Sequence, residues 1–241
     1  GALYKFAWNV FCDWYVELSK PALTGADAAL KAETQKTAAW TLDHILRLLH
    51  PFMPFITEAL WGETGQRQTM LITARWPERH SALDAPEAAA ELNWVIGLIS
   101  AIRSVRTEMN VPAGAKIPFA AIGEADPRLK RHEEAFLRLA RLSEITSAKE
   151  PPKGAVQIIH EGRTFALPLA GVIDVAAERA RLEKEIAKAA SEIDRIDKKL
   201  SNKNFVEKAP EDVVTEQRDR RADYEAQRGK VAAALERLKN L

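Results

Sequence analysis

The sequence predicts a mainly α-helical fold in three parts: a helix bundle over residues 1–112, a small α/β subdomain over 113–173, and an antiparallel coiled-coil hairpin over 174–241. Three observations carry this expectation. All six tryptophans lie in the first 94 positions, among apolar residues that recur every three or four places. Short β-compatible runs replace that spacing between 116 and 169. From Ala176 a strict heptad seam begins, and aromatic residues nearly vanish.

The elements follow in order. Leu3, Phe6, Ala7, Val10, Phe11, Trp14 and Leu18 define the first helix. Pro21 is expected just past its end, because an interior proline removes a hydrogen bond and crowds the preceding turn. Residues 26–49 read as a second helix with Leu30, Thr34, Ala38, Thr41, Leu42, Ile45 and Leu49 on one stripe. His50-Pro-Phe-Met-Pro-Phe breaks it, and Thr57 is expected to cap a short third helix through Trp61. Residues 87–110 form a fourth, ending before Pro112. Four such segments suggest a bundle. Residues 116–122 and 155–169 read as strands, the latter turning at Glu161 and Gly162, with a basic amphipathic helix over 127–142 between them. Leu182, Ile186, Ala189, Ile193, Ile196 and Leu200 make an a/d seam. Asn202, Asn204 and Pro210 interrupt it. Val214, Gln217, Arg221, Tyr224, Arg228, Val231, Leu235 and Leu238 resume the period. Two such runs zip into a hairpin whose arms reach about 40 Å, at ~1.5 Å per residue. The second run is polar in its middle, so Gln217 and Arg221 are expected to face away from the partner helix.

Composition excludes several functions. Lys+Arg is 35 and Asp+Glu 34, a formal net charge of +1, which argues against a histone-like binder or an acidic tail but leaves room for a local basic patch. The single cysteine, Cys12, excludes an internal disulfide and a multi-cysteine zinc site; it is expected in the core. A lone thiol fits the cytoplasm. No stretch is expected to span a bilayer, which needs roughly 20 apolar residues. Opening inside an amphipathic helix without an initiator Met, the chain reads as a piece of a longer protein. No Gly-rich phosphate loop occurs, and the five histidines form no His-x-x-x-His pair. Neither a catalytic residue nor a metal site is expected.

What remains is of the binding kind. Arg103 and Arg106 are neighbours on one helical face, with Asn110 following. Arginine forks grip phosphates and Asn reads base edges, although a solvated face paired to Glu108 gives the same pattern. Phe52 and Phe55 would stack unpaired bases if exposed; packing inside the bundle is the simpler expectation. Lys198, Lys199, Lys203 and Lys208 gather near the hairpin tip, within a segment of alternating charge.

Four segments together resemble the C-terminal part of bacterial-type valyl-tRNA synthetases. Trp8-Asn-Val-Phe-Cys-Asp-Trp-Tyr, with Glu17 and Lys20-Pro21, is similar to the first helix of the family's anticodon-binding bundle. His50-Pro-Phe-Met-Pro-Phe-Ile-Thr-Glu, with Leu60-Trp61, is shared by the valine, isoleucine and leucine enzymes. Arg103-Ser-Val-Arg-Thr-Glu-Met-Asn-Val-Pro resembles the valyl form. Lys199-Leu-Ser-Asn, Phe205-Val-Glu-Lys-Ala-Pro and Val213-Val214 are similar to the tip of the valyl coiled coil.

The resemblance implies a parent ligase that uses ATP with magnesium to charge tRNA with valine and edits mischarged threonine. The family's catalytic signatures, HIGH and KMSKS, do not occur in this sequence. The fragment is therefore expected to bind tRNA without catalysis or a cofactor of its own. It would act as a monomer in the cytoplasm, with valine tRNA and the parent's catalytic and editing domains as partners. The bundle would meet the anticodon arm and the coiled coil the tRNA elbow. The implied contacts are Arg103, Arg106 and Asn110, then Trp14, Lys20, Phe52 and Phe55, and on the arm Lys199, Asn202, Lys203, Phe205 and Lys208. Phe205 would stack on a tertiary base pair if exposed and lock the turn if buried. The alternatives are an adaptor coiled coil, or an isoleucyl or leucyl enzyme, which would lack the hairpin.

Overall fold

A computed structural model of the chain describes residues 1–78 and 81–239. They gather into two units, Gly1–Pro86 and Glu87–Leu241, each with its own core. The fold is mainly α, with a small mixed sheet and a C-terminal helical hairpin, as the sequence predicts.

In the first unit, α1 (Ala2–Lys5) runs into wider π-helical turns over Phe6–Tyr15 and then into α2 (Val16–Thr24). Pro21 therefore lies inside the helix, not beyond it. The turn around it is held by other bonds: Lys20 pairs with Glu17, Thr24 Oγ1 donates to the Lys20 carbonyl at 2.9 Å, and the Gly25 amide to Pro21 at 2.8 Å. No residue from Ala2 to Thr24 is buried, and Cys12 is exposed, contrary to expectation. Asp27 caps α3 (Ala28–Leu49) through the amides of Ala29 and Leu30. The next helix, α4 (Pro54–Glu63), begins at Pro54, where a missing N–H costs nothing. Thr57 is consequently no cap. It is buried inside α4, where its hydroxyl donates to the Met53 carbonyl at 2.7 Å and meets His50 Nδ1 at 2.8 Å. Leu46, Trp61 and Leu71 form the core of this unit, with Leu42 and Ala74 against it. Arg67 clamps it: the guanidinium stacks 3.7 Å over Trp61 and forks onto Asp43 at 2.7 and 2.9 Å.

The second unit opens with α5 (Pro86–Glu108), whose Trp94, Val95, Leu98, Ile99, Ile102 and Val105 are buried. Its length and mean hydropathy (1.2 over 18 residues) would suffice to cross a membrane, which the sequence reading did not anticipate. Here it is a core helix, covering a sheet of order β2-β1-β4-β3. The strands are β1 (Ile117–Ile122), β2 (Leu142–Ala148), β3 (Ala155–His160) and β4 (Arg163–Pro168). Trp94 meets Phe136 and Phe165 edge-on, and its carbonyl lies 3.0 Å from His160 Nε2. Gly97 permits this approach, since a Cβ there would sit 2.6 Å from His160 Cε1. The β3–β4 turn falls at Glu161 and Gly162, as expected; both have positive φ, the geometry of a two-residue hairpin.

Two expectations fail between β1 and β2. The basic helix is split into α6 (Pro127–Arg131) and α7 (Glu133–Leu139), because His132 leaves helical geometry. β2 is not among the strands that the sequence predicts, which places the end of the helix at 142 and assigns no element over 143–148. It pairs parallel to β1 at the sheet edge, where Leu142 alone is fully buried, so its sequence shows no clean alternation.

The C-terminal hairpin consists of α8 (Val175–Leu200), α9 (Lys203–Lys208) and α10 (Glu211–Lys239). Leu182, Ala189, Ile193 and Ile196 close its seam against Val214, Ala234 and Leu238. Gln217 and Arg221 do not face away. Gln217 is buried, and Arg221 reaches across to Asp197 at 2.5 Å, a bond that raises the Arg221 pKa. The polar middle of α10 is thus part of the pairing. At the root, Arg237 pairs with Glu108 of α5, and Arg181 donates to the Glu108 carbonyl at 3.3 Å.

Candidate nucleic-acid interface

The Arg103–Arg106 pair is divided by its surroundings. Arg103 is exposed on α5 and sends its Nε to the Leu139 carbonyl at 2.8 Å. Arg106 is only 7% exposed. Its guanidinium donates to the carbonyls of Ala115, Pro112 and Arg141 at 2.7, 3.3 and 3.4 Å. The side chain thereby ties the end of α5 to the loops leading into β1 and β2, a structural task the spacing did not reveal. Burial, and secondarily the charge of Arg141, lower its pKa. Asn110 is exposed with φ 48°, a left-handed turn after α5 that Asn tolerates.

In the first unit, Phe52 and Phe55 are 80% and 90% exposed, so they do not pack in the bundle. Thr57 and Trp61, four residues apart, occupy the inner face of α4 and turn Phe55 outward. Trp14 is half-buried, and Lys20 is exposed but paired with Glu17. A second aromatic group was missed by the sequence reading. Trp40 and Trp76, both about half exposed, line a pocket of about 330 Å³ with His44, Arg47 and Arg75. The Trp40 and His44 rings lie 4.0 Å apart. The only signal was the i, i+4 spacing of Trp40 and His44, which core packing also produces.

At the hairpin tip, Lys199, Lys203 and Lys208 are exposed. Asn202 caps α9 by accepting the Asn204 amide at 3.0 Å. Phe205 is half-buried against the turn, and Lys198 pairs with Asp194 at 2.6 Å.

Residues 1–121 match the family model of the anticodon-binding domain of tRNA ligase, and residues 174–239 that of the valyl tRNA synthetase tRNA binding arm. The chain belongs to the tRNA-ligase anticodon-binding family, in its valyl form. Curated relatives agree. A valine–tRNA ligase of Caulobacter vibrioides is 51% identical over 99% of this chain and 27% of its own length. Those of Agrobacterium fabrum and Mesorhizobium japonicum are 49% and 47% identical over 99% and 100% of this chain, each over 26% of their own length. The chain thus spans about a quarter of these relatives and corresponds to their C-terminal part. The valyl arm removes the isoleucyl and leucyl alternatives.

The charge of this anticodon-binding domain and arm is distributed as its small net value requires. Many basic groups are neutralised locally: Arg128 by Asp126, Arg131 by Glu91, Arg181 by Glu178 and Glu185. These pairs consume charge that a count of the sequence would assign to a ligand. Among the described residues no three His, Cys, Asp or Glu side chains gather to hold a metal ion, and the sequence has no Gly-rich phosphate loop.

Proposed function

We propose that this chain binds valine tRNA, residues 1–112 meeting the anticodon arm and the hairpin the elbow of the folded tRNA. One observation carries the reading: a single chain joins an anticodon-binding domain to a tRNA-binding arm, in that order. The exposed Phe52 and Phe55 offer ring faces on which unpaired bases stack. Lys199, Lys203 and Lys208 offer the arm's positive end to phosphates. Asn110, Trp14 and Lys20 are secondary contacts, while Asn202 and Phe205 hold the tip in shape. In functional terms the divisions are 1–112, 113–173 and 174–241.

The parent is a cytoplasmic valine–tRNA ligase whose catalytic and editing domains lie elsewhere in its chain, with ATP and magnesium used there. Those domains dock on apolar surface of the first unit, where Tyr4, Trp8 and Ile56 are each more than half exposed. The fragment itself is a monomer, inactive alone.

The test is a titration of the 241-residue chain against valine tRNA and an unrelated tRNA at two salt concentrations. Tighter binding to valine tRNA, weakened by salt and by Phe55→Ala, supports the reading. No binding to either at low salt refutes it and favours an adaptor role.

A further inference from the structure

Glu108 is the last residue of α5, in the segment whose Arg103, Arg106 and Asn110 the sequence offers as RNA contacts. Its own surroundings give it a different task. We propose that Glu108 is the positioning residue of the hairpin: it fixes the direction in which α8 and α10 leave the sheet, and with it the place where the tip meets RNA. The inference rests on the tRNA-binding reading for what the tip meets.

Both long helices of the hairpin reach this one residue. Arg237, near the end of α10, pairs with its carboxylate, and Arg181, near the start of α8, donates to its backbone carbonyl at 3.3 Å. Arg181 is itself held in place. Its Nε lies 3.0 and 2.9 Å from the two carboxylate oxygens of buried Glu178, and its Nη1 lies 2.6 Å from Glu185. A guanidinium forked in this way keeps little rotamer freedom. Packing holds the root less firmly. Outside the hairpin seam, α10 packs mainly against β3. A cavity of about 240 Å³ opens there, lined by Ser104, Gln157 and Ile159 beside Glu108 and Arg237. A close-packed joint resists tilting; this space leaves α10 room to lean, and the Glu108–Arg237 pair bridges α5 and α10 at its wall. The lever is long. The 26 residues of α8 reach about 39 Å at ~1.5 Å per residue, so a tilt of roughly 10° at the root carries the tip about 7 Å. A hydrogen bond to phosphate tolerates far less. The pair is part-exposed, so it adds little to overall stability while it restricts the angle.

The sign of the effect separates positioning from direct contact. A carboxylate near RNA repels phosphate, so removing one that is merely a neighbour should tighten binding and steepen the salt slope. Removing a positioning residue should weaken binding and leave the slope unchanged.

The test uses the 241-residue chain with Cys12→Ser, spin-labelled through Ser143→Cys in β2 and Glu207→Cys in α9, both exposed positions. Glu108→Gln and the exchange of Glu108→Arg with Arg237→Glu are compared with it. Double electron–electron resonance reads the label distance, and titration of the unlabelled chains reads valine tRNA binding at two salt concentrations. The native chain is expected to give one narrow distance. Glu108→Gln should broaden it, leave Tm nearly unchanged, and raise the Kd for tRNA about fivefold at the same salt slope, because the tip must then be ordered on binding. The exchange restores the pair and should recover both the narrow distance and the native affinity. An equally narrow distance in Glu108→Gln overturns the proposal, and so does a tighter tRNA complex. If the distance broadens while tRNA binds both chains equally, the hairpin's direction does not serve tRNA binding and that part of the proposal is overturned. If the native chain binds no tRNA, the tRNA-binding reading falls, and the label distances still decide whether Glu108 sets the direction of the hairpin.

Discussion

Replacing Arg106 by alanine separates a structural arginine from a ligand-gripping one. The guanidinium holds three backbone carbonyls, of which only the Ala115 bond, at 2.7 Å, is short. A hydrogen bond from a charged donor contributes about 1.5–3 kcal/mol net, and bonds near 3.4 Å contribute much less. One strong and two weak bonds therefore sum to about 2–4 kcal/mol. Removing a buried charge beside Arg141 returns part of this, so the expected loss is about 2 kcal/mol. In a unit of this size that lowers Tm by about 4–8 °C. The local readout is amide hydrogen exchange. The Val111 amide bonds to the Arg106 carbonyl and the Ile117 amide to Arg141, so both should exchange faster in Arg106→Ala while the amides of α3 do not. Arg106→Ala of native stability and native exchange, but with weakened tRNA binding, would refute the structural assignment.

Further outcomes follow from other parts of the fold. Trp61→Ala empties the first unit's core and removes the ring beneath Arg67, with an expected loss of about 3–5 kcal/mol by denaturant titration and little change in α5 exchange. Ile193→Ala in the hairpin seam should cost about 2–4 kcal/mol, melt α8 and α10 before the sheet, and raise the Kd for tRNA. Asp126 is held below the usual carboxylate range, chiefly by its hydrogen bond with Arg128. A depressed folded pKa stabilises the fold above the ordinary value and ceases to do so as pH falls through the folded one. Asp126→Asn should therefore be less stable than the native chain at pH 7, and the difference should shrink on acidification below about pH 4. A pH-independent difference would refute the charge pairing as its cause.

Legibility followed the range of the physics. The hairpin was readable because a heptad seam is a local pattern: Leu182, Ile193 and Ile196 announce their faces by spacing alone. The β3–β4 turn was readable for the same reason, since Gly162 suits positive φ. β2 was not, because an edge strand buries little and its register depends on β1, some 25 residues away in Ile117↔Leu142. Pro21 defeated a local rule because neighbouring bonds compensate for the missing N–H.

The candidate site divides along the same line. Sequence alone supplied the family resemblance, the helical arm and the identities of the basic and aromatic residues. Which of them face solvent was a tertiary matter. Arg106 is turned inward because three carbonyls from two loops converge on it, and Phe55 outward because Thr57 and Trp61 take the inner face of α4. Arg181 and Arg237 meet at Glu108 only because the root of the hairpin and the end of α5 come together in space. Side-chain type is written in the chain, but desolvation and charge pairing depend on neighbours that only folding brings together.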